Sequence, residues 1–205
     1  ITSTGAAGVN GGNFTVTAGN TVLVNSSITT TGGTGSNTSG GNISINTTAG
    51  GITISPGVSL NASGNNGGGG VNHSAGSITL SAGPSSTLTT GSGGATISAL
   101  GYNGGTGNTI SLTADSMVIN GGLYADRINF STKTASQNIS LGPTGGGLLL
   151  TDTIAANTYA PNIYISTGSG NIVHTGDFTP AASYGGVFSV MTGSGTITDT
   201  TGGAS

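Results

Sequence analysis

The side chains that could do chemistry are few. Five acids, all Asp (Asp115, Asp126, Asp152, Asp177 and Asp199), two bases (Arg127 and Lys133) and two imidazoles (His73 and His174) are spread over 205 residues, with no cysteine. Cleaving a glycan needs two carboxyl groups held about 5–9.5 Å apart across the scissile bond. Asp152 and Asp177 are the pair with matched settings, thirteen residues after Ile139 and fourteen after Ile163. A repeat of that spacing would stack them on neighbouring turns. Each nevertheless sits in a turn-like context, Thr-Asp-Thr or Gly-Asp-Phe, where a single Asp ordinarily serves backbone geometry or solvent. We therefore expect no catalytic residues and no enzyme. Asp126 and Arg127, with Lys133 nearby, form the one mixed-charge cluster, and its expected use is a local salt bridge.

Metal and phosphate chemistry find no better support. His73 lies in Asn72-His73-Ser74 and His174 follows an apolar run; neither has the further ligands within reach that a metal needs. Calcium-binding glycine repeats would carry an Asp in each turn, which the Gly-rich loops here lack. The Gly67–Gly70 run is followed by no Lys and opens no helix, so it is not a phosphate loop. A formal charge of −3 with two bases leaves no basic patch for nucleic acid. No apolar run approaches the roughly 20 residues of a membrane helix. The expectation is no cofactor, no metal, no nucleic acid and no membrane insertion.

The elements that carry these residues repeat. Gly11 to Val24, GGNFTVTAGNTVLV, returns as GGNISINTTAGGITI from Gly40, PNIYISTGSGNIV from Pro161 and GGVFSVMTGSGTI from Gly185. Anchors at Phe14, Ile43, Ile78, Ile110, Ile139, Ile163 and Phe188 each have an apolar partner two residues on. That alternation places both on one face of a strand. A second strand is marked by Val22, Ile52, Leu88, Val118, Leu148, Ile172 and Ile197, and a third by Ile28, Val58, Ile97, Leu123, Ile154 and Phe178. No helical periodicity intervenes. Gly 42, 3% charge and abundant Ser, Thr and Asn could mean a flexible chain, but the apolar triplets can bury a continuous strip. The expected fold is all-β: a single parallel β-helix (β-solenoid) segment over 1–205, of about six to seven turns with three short strands per turn. Paired strands about 4.8 Å apart would make a rod near 30 Å long.

The connections fit that plan. Ala49-Gly50-Gly51, Gly168-Ser169-Gly170 and Gly193-Ser194-Gly195 join strands one and two, where positive φ or close backbone approach is expected. Asn13, Asn42, Ser77, Thr109, Asn138 and Asn162 precede the anchors, either as a stacked hydrogen-bonded ladder or as ordinary turn residues. The stretches Thr29 to Gly41 and Asn61 to Gly76 read as long, flexible excursions. Ala125 to Phe130 reads as an extra strand covering one side. Ile1-Thr2 resembles Ile28-Thr29, and the last strand is a second strand, so the chain enters and leaves mid-turn with uncapped ends; a longer fibre, or a subunit stacking on itself, is expected. Thr15/Thr17, Ser44/Asn46, Thr79/Ser81 and Ser111/Thr113 form an outward hydroxyl column. Tyr164 and Met191 interrupt it, so a solvated face is favoured over an ice-binding one. Asn-x-Ser/Thr occurs nine times, little above chance, with Asn37 and Asn61 read as the accessible loop sites for glycosylation.

The cadence of GGNFTVTA, GGNISINT, AGSITLSA and NGGLYADRINFSTKT resembles filamentous-haemagglutinin-like exoproteins, adhesins exported by two-partner secretion. The resemblance implies a right-handed parallel β-helix, a secreted or bacterial cell-surface location, and a structural or adhesive role as a rigid rod with loop-borne contacts. Its partners would be neighbouring repeats or further copies, and host or cell-surface glycans or proteins. A subunit assembling end to end into an extracellular filament is the alternative; a glycan-active enzyme or an ice-binding solenoid ranks below both.

Overall fold

A computed structural model describes residues 1–66, 71–181 and 186–201. The Gly67–Gly70 run and Gly185 lie outside the described residues. Four sheets account for the strands. The first holds β1 (Phe14–Ala18), β4 (Ile43–Thr47), β7 (Ile78–Ser81), β10 (Thr109–Thr113), β13 (Arg127–Ser131), β17 (Asn162–Thr167) and β19 (Phe188–Thr192), in that spatial order. The second holds β2 (Val22–Val24), β5 (Ile52–Ile54), β8 (Thr87–Thr90) and β11 (Ser116–Ile119). The third holds β3 (Ile28–Thr29), β6 (Leu60–Asn61), β9 (Thr96–Ala99), β12 (Gly122–Ala125) and β16 (Thr158–Tyr159). In the fourth, β15 (Leu148–Leu150), β14 (Ile139–Leu141), β18 (Ile172–His174) and β20 (Ile197–Asp199) follow one another. All the ladders are parallel. The protein is all-β with parallel sheets, an arrangement compatible with a β-solenoid.

The register puts like over like. Ile43, Ile78, Ile110, Ile128 and Ile163 form one inward column and Ile45, Leu80, Leu112, Phe130 and Ile165 the next, all buried in a single apolar core. Alternation within each strand sends Thr, Ser and Asn outward, so one residue of slippage would exchange core for solvent. That penalty fixes the register.

The layer after β10 differs from the sequence expectation. Ile128, not Ile139, pairs with Ile110 and Ile163, so the segment expected as an extra covering strand is the anchor strand itself. Ile139 instead sits in the fourth sheet between Leu148 and Ile172. Alternation cannot distinguish Ile128-Asn-Phe130 from Ile139-Ser-Leu141; the shortness of the connections from β10 to β13 decides it, returning the chain to the first sheet in one step. Ile139 to Leu141 then becomes an inserted strand, and residues 142–147 bring β15 back alongside it. Gly142, Gly145 and Gly147 there have φ of 126, 140 and 84°, a backbone that side chains resist.

Three other expectations shift locally. Met117 rather than Val118 pairs with Leu88; Met117 is buried and Val118 faces solvent. Leu60 rather than Val58 pairs with Ile28 and Ile97, although Val58 is also buried. Ile154 reaches the core from a one-turn helix, α1 (Asp152–Ala156), whose N-cap is the Thr151 hydroxyl and whose first turn carries Asp152. A carboxylate there complements the helix dipole. Thr158, just after α1, takes the strand position beside Leu123. Phe178 lies in no strand and packs against the core from a loop.

Close approach, not positive φ, explains the corner glycines. Gly50, Gly168, Gly170, Gly193 and Gly195 are not among the positive-φ residues. A Cβ on Gly50 would strike the Asn20–Thr21 backbone, and one on Gly195 the Gly170 carbonyl. Gly41 and Gly76 stack likewise, each Cβ position falling against the carbonyl of the glycine one layer before, Gly12 and Gly41.

The early excursions are stacked layers among the described residues. Gly8 N–H donates to the Thr34 carbonyl, Asn37 N–H to Val71 and Asn72 N–H to Asn103. Asn37, Asn72 and Asn103 all adopt φ between 52 and 60°, the left-handed region that Asn tolerates.

Candidate functional site

The two carboxylates singled out by matched spacing, Asp152 and Asp177, sit in different local settings. Asp152 opens α1, while Asp177 follows β18, and both are exposed. Their matched offsets depended on Ile139 as an anchor; with Ile128 in that role the match disappears. Asp126, Arg127 and Lys133 form no salt bridge among the described residues. Arg127 lies over the Tyr164 ring at 4.7 Å, Lys133 donates to the Ser81 hydroxyl at 3.1 Å, and the Asp126 carbonyl accepts from Asn162 Nδ2 at 2.9 Å. An indole-free chain thus uses tyrosine as its cation-binding ring. His174 faces Asp199 at 3.3 Å on the exposed edge of β18 and β20, with no group of three metal-ligating side chains among the described residues.

Polar groups instead tie one layer to the next. The Asn13 Oδ1 accepts the Asn42 N–H and the Asn42 Oδ1 accepts the Ser77 N–H, both at 2.8 Å. Asn138 serves Asn171, and Asn171 serves Thr196, in the same way on the fourth sheet. The ladder runs from side-chain amide to backbone but not as the single column expected, because Asn138 heads a separate one in the fourth sheet and the Thr109 N–H is met by its neighbour Asn108. On the outer face of the first sheet side chains also bond to one another: the Thr113 and Ser131 hydroxyls pair at 2.8 Å, and Asn129 Nδ2 donates to the Ser111 hydroxyl at 3.2 Å.

Asp115 is the most heavily bonded acid. Its carboxylate accepts the Ser85 N–H and the Thr134 N–H, both at 2.8 Å, and the Thr134 hydroxyl at 2.5 Å. Burial pushes its pKa up, but the Thr134 hydroxyl and the N–H groups of Thr134, Ser85 and Lys133 together pull it further down, to below 3.8. One side chain so joins the loops of three successive layers. Its role is structural.

His73 is not a loop residue in solvent but fully buried. The Thr38 hydroxyl donates to the Gly33 carbonyl at 2.8 Å, which uses its single proton. The 2.8 Å contact between Thr38 Oγ1 and His73 Nδ1 therefore has Nδ1–H as donor, and the lone pair rests on Nε2, which has no partner among the described residues. His73 also exchanges backbone hydrogen bonds with Tyr102, 3.1 Å and 2.8 Å.

That pairing fixes one wall of a groove. Over the outer face of β3, β6 and β9 lies a cleft of about 540 Å³, floored by Thr29, Asn61 and Ser98 in one register column and flanked by Tyr102 and the stretch 64–66. Small-ligand sites run from about 300 to 1,000 Å³. Apart from Tyr102, no ionisable side chain lines it. Some floor hydroxyls serve the sheet: Ser59 Oγ accepts from Thr96, and Ser63 Oγ pairs with Ser98 Oγ at 2.8 Å. Asn61 Oδ1 accepts the Ser63 N–H, whereas Asn61 Nδ2 and the hydroxyls of Thr29 and Tyr102 have no partner among the described residues. Further along, Ser98 is followed in the same column by Tyr124 and Tyr159, whose rings stack at 4.7 Å. Asn61 is thus a strand residue lining this groove, not the loop residue expected; Asn37 is exposed as expected.

The groove was not legible from spacing. Its floor belongs to the third sheet, whose strands β3 and β6 are only two residues long, and its Tyr comes from Gly101-Tyr102-Asn103-Gly104, whose glycines are the one visible hint. No known protein family, characterised protein or solved structure compared with this chain matches it.

Proposed function

We propose that the chain is a right-handed β-helical segment with three strands per turn, serving as a rigid structural and adhesive rod of a bacterial cell-surface or secreted protein. The observation that carries this reading is the seven-stranded first sheet, in which each strand pairs with the equivalent strand of the layers before and after it. Six steps of about 4.8 Å give a body near 30 Å long. Backbone ladders, an apolar strip and side-chain-to-backbone ladders resist bending, while the stacked excursions supply contact surface. The resemblance to filamentous-haemagglutinin-like repeats supplies the location and the adhesive role. An epitope inserted after Ser36, on the exposed excursion, tests them: antibody staining of intact source cells, or recovery in the medium, is expected. Staining only after lysis would refute the surface placement.

A second reading is end-to-end assembly into a filament. It is favoured by the inward-facing apolar side chains that the end layers leave partly or fully exposed: Phe14, Val16 and Val22 on one, Phe188 and Ile197 on the other. Electron microscopy at rising concentration separates the readings, since fibres with a subunit repeat support assembly and persistent monomers oppose it.

A further inference from the structure

From the groove over β3, β6 and β9 we infer a binding site for a neutral oligosaccharide chain, laid along the stacking direction of the layers. This rests on the adhesive reading and gives it a ligand class and an address. The chain's five carboxylates and two bases all lie outside the groove, whose lining is hydroxyl, amide and one phenol. An acidic glycan, a phosphate or a charged peptide would lose its hydration there without gaining a counter-charge. A ligand that is itself hydroxyl-rich and uncharged exchanges water hydrogen bonds for equivalent ones.

Geometry points the same way. The floor offers a neutral polar side chain once per layer, Thr29, Asn61 and Ser98, at the roughly 4.8 Å strand separation. That step is close to the length of one sugar residue in an extended chain, so each successive sugar meets a neutral polar side chain. Asn61 Nδ2 is a donor and the Thr29 hydroxyl a donor or acceptor with no competing partner among the described residues. Tyr102 supplies an apolar ring edge or face with a polar tip, suited to a sugar's alternating C–H and O–H surface. A peptide strand finds no complement, because the floor is the face of a sheet whose backbone groups are already paired. The Tyr102 backbone is held by its pairing with buried His73, so the segment that carries the ring is in place before any ligand arrives and binding has less to order.

Calorimetric titration of the full chain with cellohexaose, mannohexaose, maltohexaose, chitohexaose and hexagalacturonate tests this. Binding of at least one neutral hexamer is expected, with hexagalacturonate at least tenfold weaker. Tyr102→Ala and Thr29→Val should each weaken it tenfold or more, while Thr15→Val, on the outer face of the first sheet, leaves it unchanged. Thr29→Val carries the test if Tyr102→Ala lowers the melting temperature. The inference is overturned if no neutral hexamer binds, if the uronate binds equally well, or if neither groove variant weakens binding. Circular dichroism and scattering on the same samples report the rod separately: an intact elongated β-protein without sugar binding sinks the groove alone.

Discussion

Single side chains in this protein act mainly between layers. Asp115 illustrates the electrostatic version. Its folded pKa lies below its unfolded value near 3.8, so its stabilising effect is fully present above that unfolded value and is lost as pH falls through the folded one. The melting temperature should hold steady between pH 7 and 5 and drop as pH falls below 4. Asp115→Asn should lower the plateau and flatten that acid-side drop, measured by thermal melts across the pH series; an unchanged acid profile would count against the assignment. Asn42 illustrates the neutral version: Asn42→Ala removes the acceptor for the Ser77 N–H and should cost about 1 kcal/mol in denaturant unfolding. A cost near zero would mean that water replaces the amide without loss.

At the scale of the elements, the corners and the apolar columns decide stability. Gly41→Ala places a methyl against the Gly12 carbonyl, and by the usual cost of overpacking should destabilise by about 1–3 kcal/mol. Ile45→Asp buries a charge with no partner in the first-sheet core, where Ile45 is fully inaccessible, and should abolish the cooperative melt at neutral pH. An unaltered melt in either variant would place the register elsewhere. Register was also where sequence reading succeeded and failed. The inward columns of β1, β4, β7, β10, β17 and β19 were legible because Φ-x-Φ triplets with preceding Gly or Asn recur there. The layer of Ile128 and Ile139 was not, because two triplets eleven residues apart are equally good strands and only their partners in space rank them. Val118 failed for a related reason: Met117 and Val118 are both apolar, and the tight link from β10 to β11 sets which faces inward. The helix α1 is a single turn, too short to show a period. Among candidate sites, sequence singled out Asp152, Asp177, His73 and His174 and gave none of them a site role, but burial, which sets what His73 does, and the concavity beside Tyr102 arise only from stacking.

Across the whole molecule, the chain returns to the first sheet layer by layer, and the shortest return runs from Ile110 to Ile128. With no cysteine in the sequence, pairs can be introduced without background. Ser111 pairs with Asn129 on the outer face of the first sheet, whereas Ser140 belongs to the fourth sheet. Spin labels at Ser111→Cys with Asn129→Cys should show strong dipolar broadening, as adjacent parallel strands about 4.8 Å apart require. Labels at Ser111→Cys with Ser140→Cys should show little. Broadening in the second pair and its absence in the first would contradict the layer order on which the core, the ladders and the groove all depend.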